Sequence, residues 1–192
     1  MHVMNRLAKS SRSCDLGGMK KTLLIYALII PVVLILLDQG SKYAVIQSFD
    51  VPMNICEQDL RPGYEHKIPG PMDISLVCNP GISWGMLQGD SPVKRWILTA
   101  FAFIMSGVLV YALTQSKDRL TKLSIALIIS GAIGNGIDRF FFGAVTDFIN
   151  FGEIGFHWVF NIADSAITCG VIGLILASFF VKDERDTAVK QP

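Results

Sequence analysis

The sequence predicts an α-helical integral membrane protein with four transmembrane helices, a small β-sheet and an aromatic loop outside the bilayer. Hydrophobic residues make up 51% of the 192-residue chain and charged residues only 17%. The charges cluster at both ends and in a few short stretches, which leaves long apolar runs between them. A helix needs about 20 mostly apolar residues to cross roughly 30 Å of hydrocarbon, and four runs approach or reach that length.

These runs predict a single membrane domain over residues 22–181, between a polar N-terminal tail, residues 1–21, and a C-terminal tail, residues 182–192. The first run also has the basic approach of a signal peptide, but no small-residue cleavage site follows Leu37, so we expect a retained span. The predicted spans are about 22–46, 94–116, 121–138 and 162–181.

Basic residues predict the orientation of the spans. They precede the first span, fill the link between the second and third, and follow the fourth, so these regions share one side of the membrane. Cytoplasmic segments carry an excess of Lys and Arg, which places both termini in the cytoplasm. Lys94 and Arg95 fall on the other side and weaken this bias only slightly. The net charge of +1 gives no indication of a nucleic-acid partner.

The first outer segment covers residues 47–95, and five of its six prolines, at positions 52, 62, 69, 71 and 80, exclude long helices. Residues 73–77 and 81–84 alternate polar and apolar side chains, which predicts two short strands joined by a turn at residues 79–81. Cys56 and Cys78 share this segment and either form a disulfide in an oxidising compartment or remain free thiols. The chain has no Cys-x-x-Cys pattern, so we expect no metal site.

The second outer segment, residues 139–161, is too aromatic for an ordinary solvated loop. We expect it to enter the lipid headgroup region or to cover a lipid-facing cleft, and a simple interfacial anchor fits the composition equally well. Its aromatic residues are Phe140, Phe141, Phe142, Phe148, Phe151, Phe156, Trp158 and Phe160.

Two groups of polar residues lie near the outer ends of predicted spans. Asp38 and Lys42 are spaced i, i+4, which favours an ion pair on one helix face. Such a pair is structural, or it also holds a strand or loop near a site. Residues 131–139 read GAIGNGIDR, in which the glycines allow close helix packing. Asn135 shares a face with Gly131 and Arg139, which predicts one wall of a polar pocket, and Asp138 is expected to be a local charge partner.

Asp147 and Asp164 border the last two apolar runs. An ionised Asp at mid-helix costs roughly 2.5–3.5 kcal/mol on insertion scales, so two acids at one membrane edge need a reason. Two adjacent carboxylates share one proton and can serve as general base and general acid. Spacing alone fits other roles equally well: a proton relay in a small transporter or channel, or independent helix caps in a structural subunit, with Asp164 capping the fourth span.

Five motifs occur in the order known from the bacterial lipoprotein signal peptidases, the signal peptidase II family, and the chain resembles that family from about residue 20 to residue 181. Any one of these motifs is weak, whereas five in order are highly specific. They are residues 37–42 (LDQGSK), 79–81 (NPG), 131–139 (GAIGNGIDR), 145–148 (VTDF) and 160–167 (FNIADSAI).

The resemblance implies an aspartic endopeptidase of the bacterial inner membrane, with a periplasmic sheet and loop and an active site near the periplasmic face. It implies cleavage of prolipoproteins just before a diacylglyceryl-modified cysteine and inhibition by peptide antibiotics such as globomycin. We also expect contact with membrane lipids, no cofactor and a monomer. By motif match, Asp147 and Asp164 are the catalytic pair. Matching positions that shape or line the site are Asp38, Lys42, Asn79, Gly81, Asn135, Arg139, Asn161 and Ala163, with Gly131 in the glycine-rich wall.

Overall fold

The structure is a computed structural model that describes residues 23–58, 64–81 and 92–180. Within these ranges four helices are long and apolar enough to cross a membrane, at Ile25–Ser48, Val93–Gln115, Arg119–Phe142 and Ile162–Phe180. The predicted four-span architecture is confirmed. The helices are α1 (Ile30–Ser48, preceded by a π-helical stretch Ile25–Ile29), α2 (Ile55–Gln58), α3 (Pro92–Gln115), α4 (Arg119–Phe142) and α5 (Ile162–Phe180).

Helix α4 is longer than the sequence indicated. It begins after Asp118, whose carboxylate accepts the backbone N–H of Thr121 at 2.7 Å, as an N-cap side chain does. It ends at Gly143, whose φ of 82° is the left-handed conformation that glycine adopts without steric cost. The predicted end at residue 138 was wrong because Asp138 and Arg139 are buried, so their charges do not mark the end of the helix.

Glycines allow α4 and α5 to pack closely. A Cβ atom on Gly131 would overlap the carbonyl oxygen of Ala163 and lie 2.6 Å from Ile167 Cγ1. Further along the same interface, a Cβ on Gly170 would lie 2.6 Å from the carbonyl oxygen of Ser124. Small residues at such contacts let helix backbones approach each other in membranes. The start of α5 is therefore fixed against the middle of α4.

A four-stranded antiparallel sheet lies at one end of the long helices, with its strands in the order β1-β2-β3-β4. The predicted strand at residues 73–77 is confirmed and is part of β2, whereas the predicted strand at 81–84 lies, except for Gly81, outside the described residues. The aromatic segment expected to be a loop instead forms β3, a short 3-10 turn and β4. The strands are β1 (Tyr64–His66), β2 (Asp73–Asn79), β3 (Val145–Phe151) and β4 (Phe156–Phe160).

A small apolar core joins the sheet to the ends of the helices. Cys56 in α2 and Cys78 in β2 form a disulfide, which decides between the two states that the sequence left open. The buried residues around it are Ile46, Ile55, Leu76 and Ala144. The long helices, by contrast, expose large apolar side chains along their outer surfaces, with Tyr111 69% and Phe179 78% exposed, as expected for surfaces that face lipid.

Candidate active site

Asp147 lies in β3 and is 2% exposed. Its two carboxylate oxygens accept hydrogen bonds from two amides: Asn161 Nδ2 donates to Oδ1 at 2.6 Å, and Asn79 Nδ2 donates to Oδ2 at 3.0 Å. Asn79 is oriented in turn, because its Oδ1 accepts the backbone N–H of Gly81 at 3.0 Å. A buried carboxylate thus has a fixed orientation and two donors.

Asp164 lies in the first turn of α5 and is only half-buried. Asn135 Nδ2 donates to Asp164 Oδ1 at 2.8 Å, and Asn161 Nδ2 lies 3.3 Å from Asn135 Oδ1. Asn161 therefore bonds to Asp147 directly and reaches Asp164 through Asn135, which brings the two carboxylates into one polar cluster. The expectation that Asp164 caps the helix was wrong: Asn161 is the cap, since its Oδ1 accepts the Asp164 N–H at 2.9 Å.

The buried ammonium of Lys42 connects two further buried carboxylates. Lys42 Nζ lies 2.7 Å from Asp38 Oδ2 and 2.9 Å from Asp138 Oδ2. The predicted ion pair between Asp38 and Lys42 is present, and Asp138 pairs with Lys42 rather than with its neighbour Arg139. Asp38 Oδ1 accepts the backbone N–H of Ala163 at 2.9 Å, and Asp138 Oδ2 accepts that of Thr146 at 3.1 Å. These two amides immediately precede Asp164 and Asp147 in the chain.

Arg139 brings a second cation to the cluster. Its side chain is 9% exposed, and its guanidinium donates to the carbonyl oxygen of Gly81 and, at 3.4 Å, to that of Asn135. Its buried Nε–H has no partner in the described structure, and its charge acts on both Asp147 and Asp164. An unpaired buried donor beside two carboxylates is available to a ligand that enters the cluster.

Arg95, a cation that weakened the predicted orientation, hydrogen-bonds to the end of α4 that carries Arg139. Its Nε and Nη2 donate to the carbonyl oxygens of Arg139 and Phe140, each at 2.6 Å. These are among the last carbonyls of α4, where a cation also complements the helix dipole. Other contributors that sequence reasoning missed are Gln39, which bonds to both Asp38 and Asp138, and Thr146.

The electrostatics of the cluster favour a shared proton. Burial, and then the charge of Asp164, raise the pKa of Asp147 to about 8, although the hydrogen bonds from Asn79 and Asn161 and the charge of Lys42 act in the opposite direction. Two interacting carboxylates titrate as one unit. At neutral pH such a pair holds one proton, so it contains both a proton acceptor and a proton donor. No group of three metal-ligating side chains occurs within residues 23–58, 64–81 and 92–180.

All but one of the residues proposed from the sequence lie in the cluster. Asp38, Lys42, Asn79, Asn135, Arg139 and Asn161 bond to one another or to the carboxylate pair, and Gly81 and Ala163 contribute backbone groups. Gly131 lies behind them, at the close contact between α4 and α5. The missed capping role of Asn161 had a sequence signal, since Asn161 precedes Asp164 by three residues at the start of an apolar run.

Four helices that are long and apolar enough to cross a membrane, a small sheet at one end of them, and a polar cluster that holds Asp147 and Asp164 define the class of this chain as a multi-pass membrane protein. The sequence model of the signal peptidase II family matches residues 30–180. The chain belongs to the signal peptidase II family.

Similar proteins agree with this assignment. The lipoprotein signal peptidase of Psychromonas ingrahamii is 38% identical over 165 residues, which cover 83% of this chain and 87% of that protein. That of Burkholderia vietnamiensis is 38% identical over 148 residues, 76% of this chain and 82% of that protein. A bacterial membrane enzyme solved by the in meso method at 2.3 Å resolution superposes with a TM-score of 0.65 and 31% identity, over 86% of this chain and 91% of that one.

Proposed function

We propose that this protein is an aspartic endopeptidase that removes the signal peptide of prolipoproteins by cleaving just before their diacylglyceryl-modified cysteine. Membership of the signal peptidase II family supports the reaction class. The observation that carries the mechanism is the polar cluster in which Asn161 and Asn135 connect Asp147 with Asp164. Neither carboxylate forms an ion pair with another of the described residues, so both are available for proton transfer.

In the proposed mechanism Asp147 holds the shared proton and Asp164 carries the negative charge, because Asp147 is the more deeply buried of the two carboxyl groups. Asp164 accepts a proton from water while the water oxygen attacks the scissile carbonyl carbon. Asp147 donates its proton to the carbonyl oxygen, which gives a tetrahedral intermediate. As that intermediate collapses, the C–N bond breaks and the leaving amine takes the proton held by Asp164. One hydroxyl of the intermediate returns its proton to Asp147 as the C=O bond re-forms, which restores the singly protonated pair.

The surrounding residues have distinct proposed roles. Asn79, Asn135 and Asn161 orient the carboxylates, and the unpaired Nε–H of Arg139 binds a substrate carbonyl. Lys42, together with Asp38 and Asp138, fixes the backbone immediately before Asp164 and Asp147. Gly131, Gly81 and Ala163 shape the site through backbone contacts. This division of labour requires no cofactor.

We further propose that the functional unit is a monomer spanning residues 22–181, with tails at residues 1–21 and 182–192. It lies in the bacterial inner membrane with both termini in the cytoplasm and the site near the periplasmic face. The basic residues of the tails and of the link between α3 and α4 support this orientation. A site at the membrane edge lets water reach the pair while a lipid-bearing peptide enters from the bilayer. The same site would bind peptide antibiotics such as globomycin.

The test is cleavage of a diacylglyceryl-modified precursor by the purified protein, with and without globomycin. We expect Asp147→Asn and Asp164→Asn each to abolish cleavage while the variants remain folded in the membrane. Asp50→Asn is the matched control, because Asp50 is an exposed carboxylate outside the cluster. Activity retained in either cluster variant would sink the assignment of the pair.

A second comparison tests the pocket role of Arg139. We expect Arg139→Ala to impair cleavage far more than Arg119→Ala, since Arg119 begins α4 at the opposite end of the helix. Equal effects would count against a substrate contact by Arg139. A proton relay, the rival reading of the two acids, would instead predict proton flux through vesicles and no precursor cleavage.

A further inference from the structure

The Cys56–Cys78 disulfide lies beside the parts of β2 and β3 that carry Asn79 and Asp147. Both cysteines are 3% exposed and sit in the apolar core between α2 and the sheet. Cys78 immediately precedes Asn79, which donates to Asp147, and Cys78 pairs in register with Thr146, which immediately precedes Asp147. Cys56 Sγ also lies 3.9 Å from Thr146 Oγ1. The bond therefore contacts both strands that carry the Asn79–Asp147 hydrogen bond.

The ladder that holds these strands together near the site is short. The register between β2 and β3 shifts between Ile74 and Val77, and only three residue pairs follow that irregularity, Val77–Asp147, Cys78–Thr146 and Asn79–Val145. A ladder of three pairs beside a bulge has few hydrogen bonds to resist displacement. The disulfide adds a covalent link at the middle pair.

Helix α2 depends on the same link. It has only four residues, Ile55–Gln58, and a helix of that length is not stable by itself. Its other contacts include the burial of Ile55 in the core and an exposed 3.5 Å ion pair between Glu57 and Arg95. Two thiols need more space than two bonded sulfurs, so reduction pushes Cys56 and Cys78 apart inside a packed core.

We propose that the Cys56–Cys78 disulfide is a positioning device for Asp147 and that peptidase activity depends on the redox state of this pair; the proposal rests on the proposed function. On the proposed orientation both cysteines lie outside the cytoplasm, where disulfides persist. Forming the bond releases two thiol protons and passes two electrons to the disulfide of a thiol–disulfide oxidoreductase, which becomes a dithiol. That class of enzyme is the partner this chain requires.

The test compares the oxidised full-length protein with a Cys56→Ala/Cys78→Ala variant, in the precursor-cleavage assay. We expect the variant to lose kcat/KM by on the order of tenfold to a hundredfold, the range typical of a small misplacement of a catalytic group. Cys169→Ala is the matched control, because Cys169 is an exposed free cysteine in α5, away from the cluster.

The pH profile separates positioning from general loss of structure. The Asn79 hydrogen bond lowers the pKa of Asp147, so weakening that bond moves the alkaline limb of kcat/KM to higher pH. Partial unfolding reduces the amplitude and leaves the limb in place. Among the described residues, the charged groups facing Asp147 are Asp164, Lys42 and Arg139. Asp164 and Lys42 are held by contacts with other helices, whereas Arg139 also donates to the carbonyl oxygen of Gly81, two residues after Asn79.

Reduction of the folded wild-type protein with a phosphine, followed by mass measurement of alkylated thiols, gives a second route if the double variant does not fold. Lower kcat/KM after reduction, restored by reoxidation, supports the proposal. An unchanged kcat/KM and pH profile with both thiols alkylated overturns it and leaves the proposed function standing. Failure of the oxidised wild-type protein to cleave the precursor overturns the proposed function itself.

Discussion

Replacing Gly131 with alanine is the most direct test of how the helix packing positions the site. The added Cβ would overlap the carbonyl oxygen of Ala163 and lie 2.6 Å from Ile167 Cγ1. The Ile167 side chain can rotate away, whereas the Ala163 carbonyl is part of the α5 backbone. Normal carbon contacts lie at about 3.5–4.0 Å, so α5 must move by roughly 1 Å to accommodate the methyl group.

That movement occurs one residue before Asp164, at the start of the helix that carries it. Overpacking of this kind costs about 1–3 kcal/mol of unfolding free energy, and a shift of roughly 1 Å at a reacting group lowers the rate by on the order of a hundredfold. We therefore expect Gly131→Ala to lose far more activity than stability. The measurements are kcat/KM for the lipid-modified precursor and thermal unfolding of the same preparation.

Gly107→Ala is the control for this substitution. Gly107 also lies within a spanning helix, α3, but a Cβ there has no atom within 4 Å. If Gly131→Ala cleaves the precursor as well as Gly107→Ala does, then α5 tolerates the methyl group and close packing does not position Asp164.

Two further predictions concern the charges of the cluster. Because the pKa of Asp147 is raised to about 8, the singly protonated pair is lost as the pH rises through that value, and kcat/KM should fall near pH 8. In the Asn79→Ala variant the same fall should occur at higher pH. A profile that is flat to pH 10 would contradict the assignment. Lys42→Met leaves two buried carboxylates without their cation and should cost about 3–5 kcal/mol of unfolding free energy. The control is Lys67→Met, at an exposed ion-pair cluster on the sheet, which should shift thermal unfolding much less. Equal shifts in the two variants would refute the structural role of Lys42.

The spanning helices were predictable because hydrocarbon excludes charge so strongly that apolar run length alone reveals them. The ion pair of Asp38 with Lys42 was predictable for a different reason, since i, i+4 neighbours share a helix face whatever the tertiary structure. Asp138 was not, because its partner Lys42 lies on another helix and no local spacing connects them. The same residue misled the prediction of where α4 ends.

The sheet shows the limits of local patterns more clearly. Strand β3 is buried over its first four residues, Val145 to Phe148, so it lacks the alternation that identifies a half-exposed strand. Its pairing with β2 and β4 determines its conformation, and β2 lies far from it in the chain. The link to β4 is the short turn Gly152–Ile154 followed by Gly155, whose φ is 86°, and this glycine-containing turn is a hairpin signal that sequence reasoning missed. Strand β4 was interpreted as loop because its aromatic residues suggested a membrane anchor, a property that a strand and a loop share.

Asn161 is the sole residue between the end of β4 at Phe160 and the start of α5 at Ile162. The sheet and the membrane helix α5 are therefore joined without a flexible linker. Adding or removing one residue at this joint would rotate α5 by about 100° relative to the sheet, carrying Asp164 away from Asp147. We therefore expect the site to tolerate a change in the length of this junction less well than substitutions at most residues around it. The hydrogen bonds of Asn161 to Asp147 and Asp164 help to set the angle between the sheet and α5.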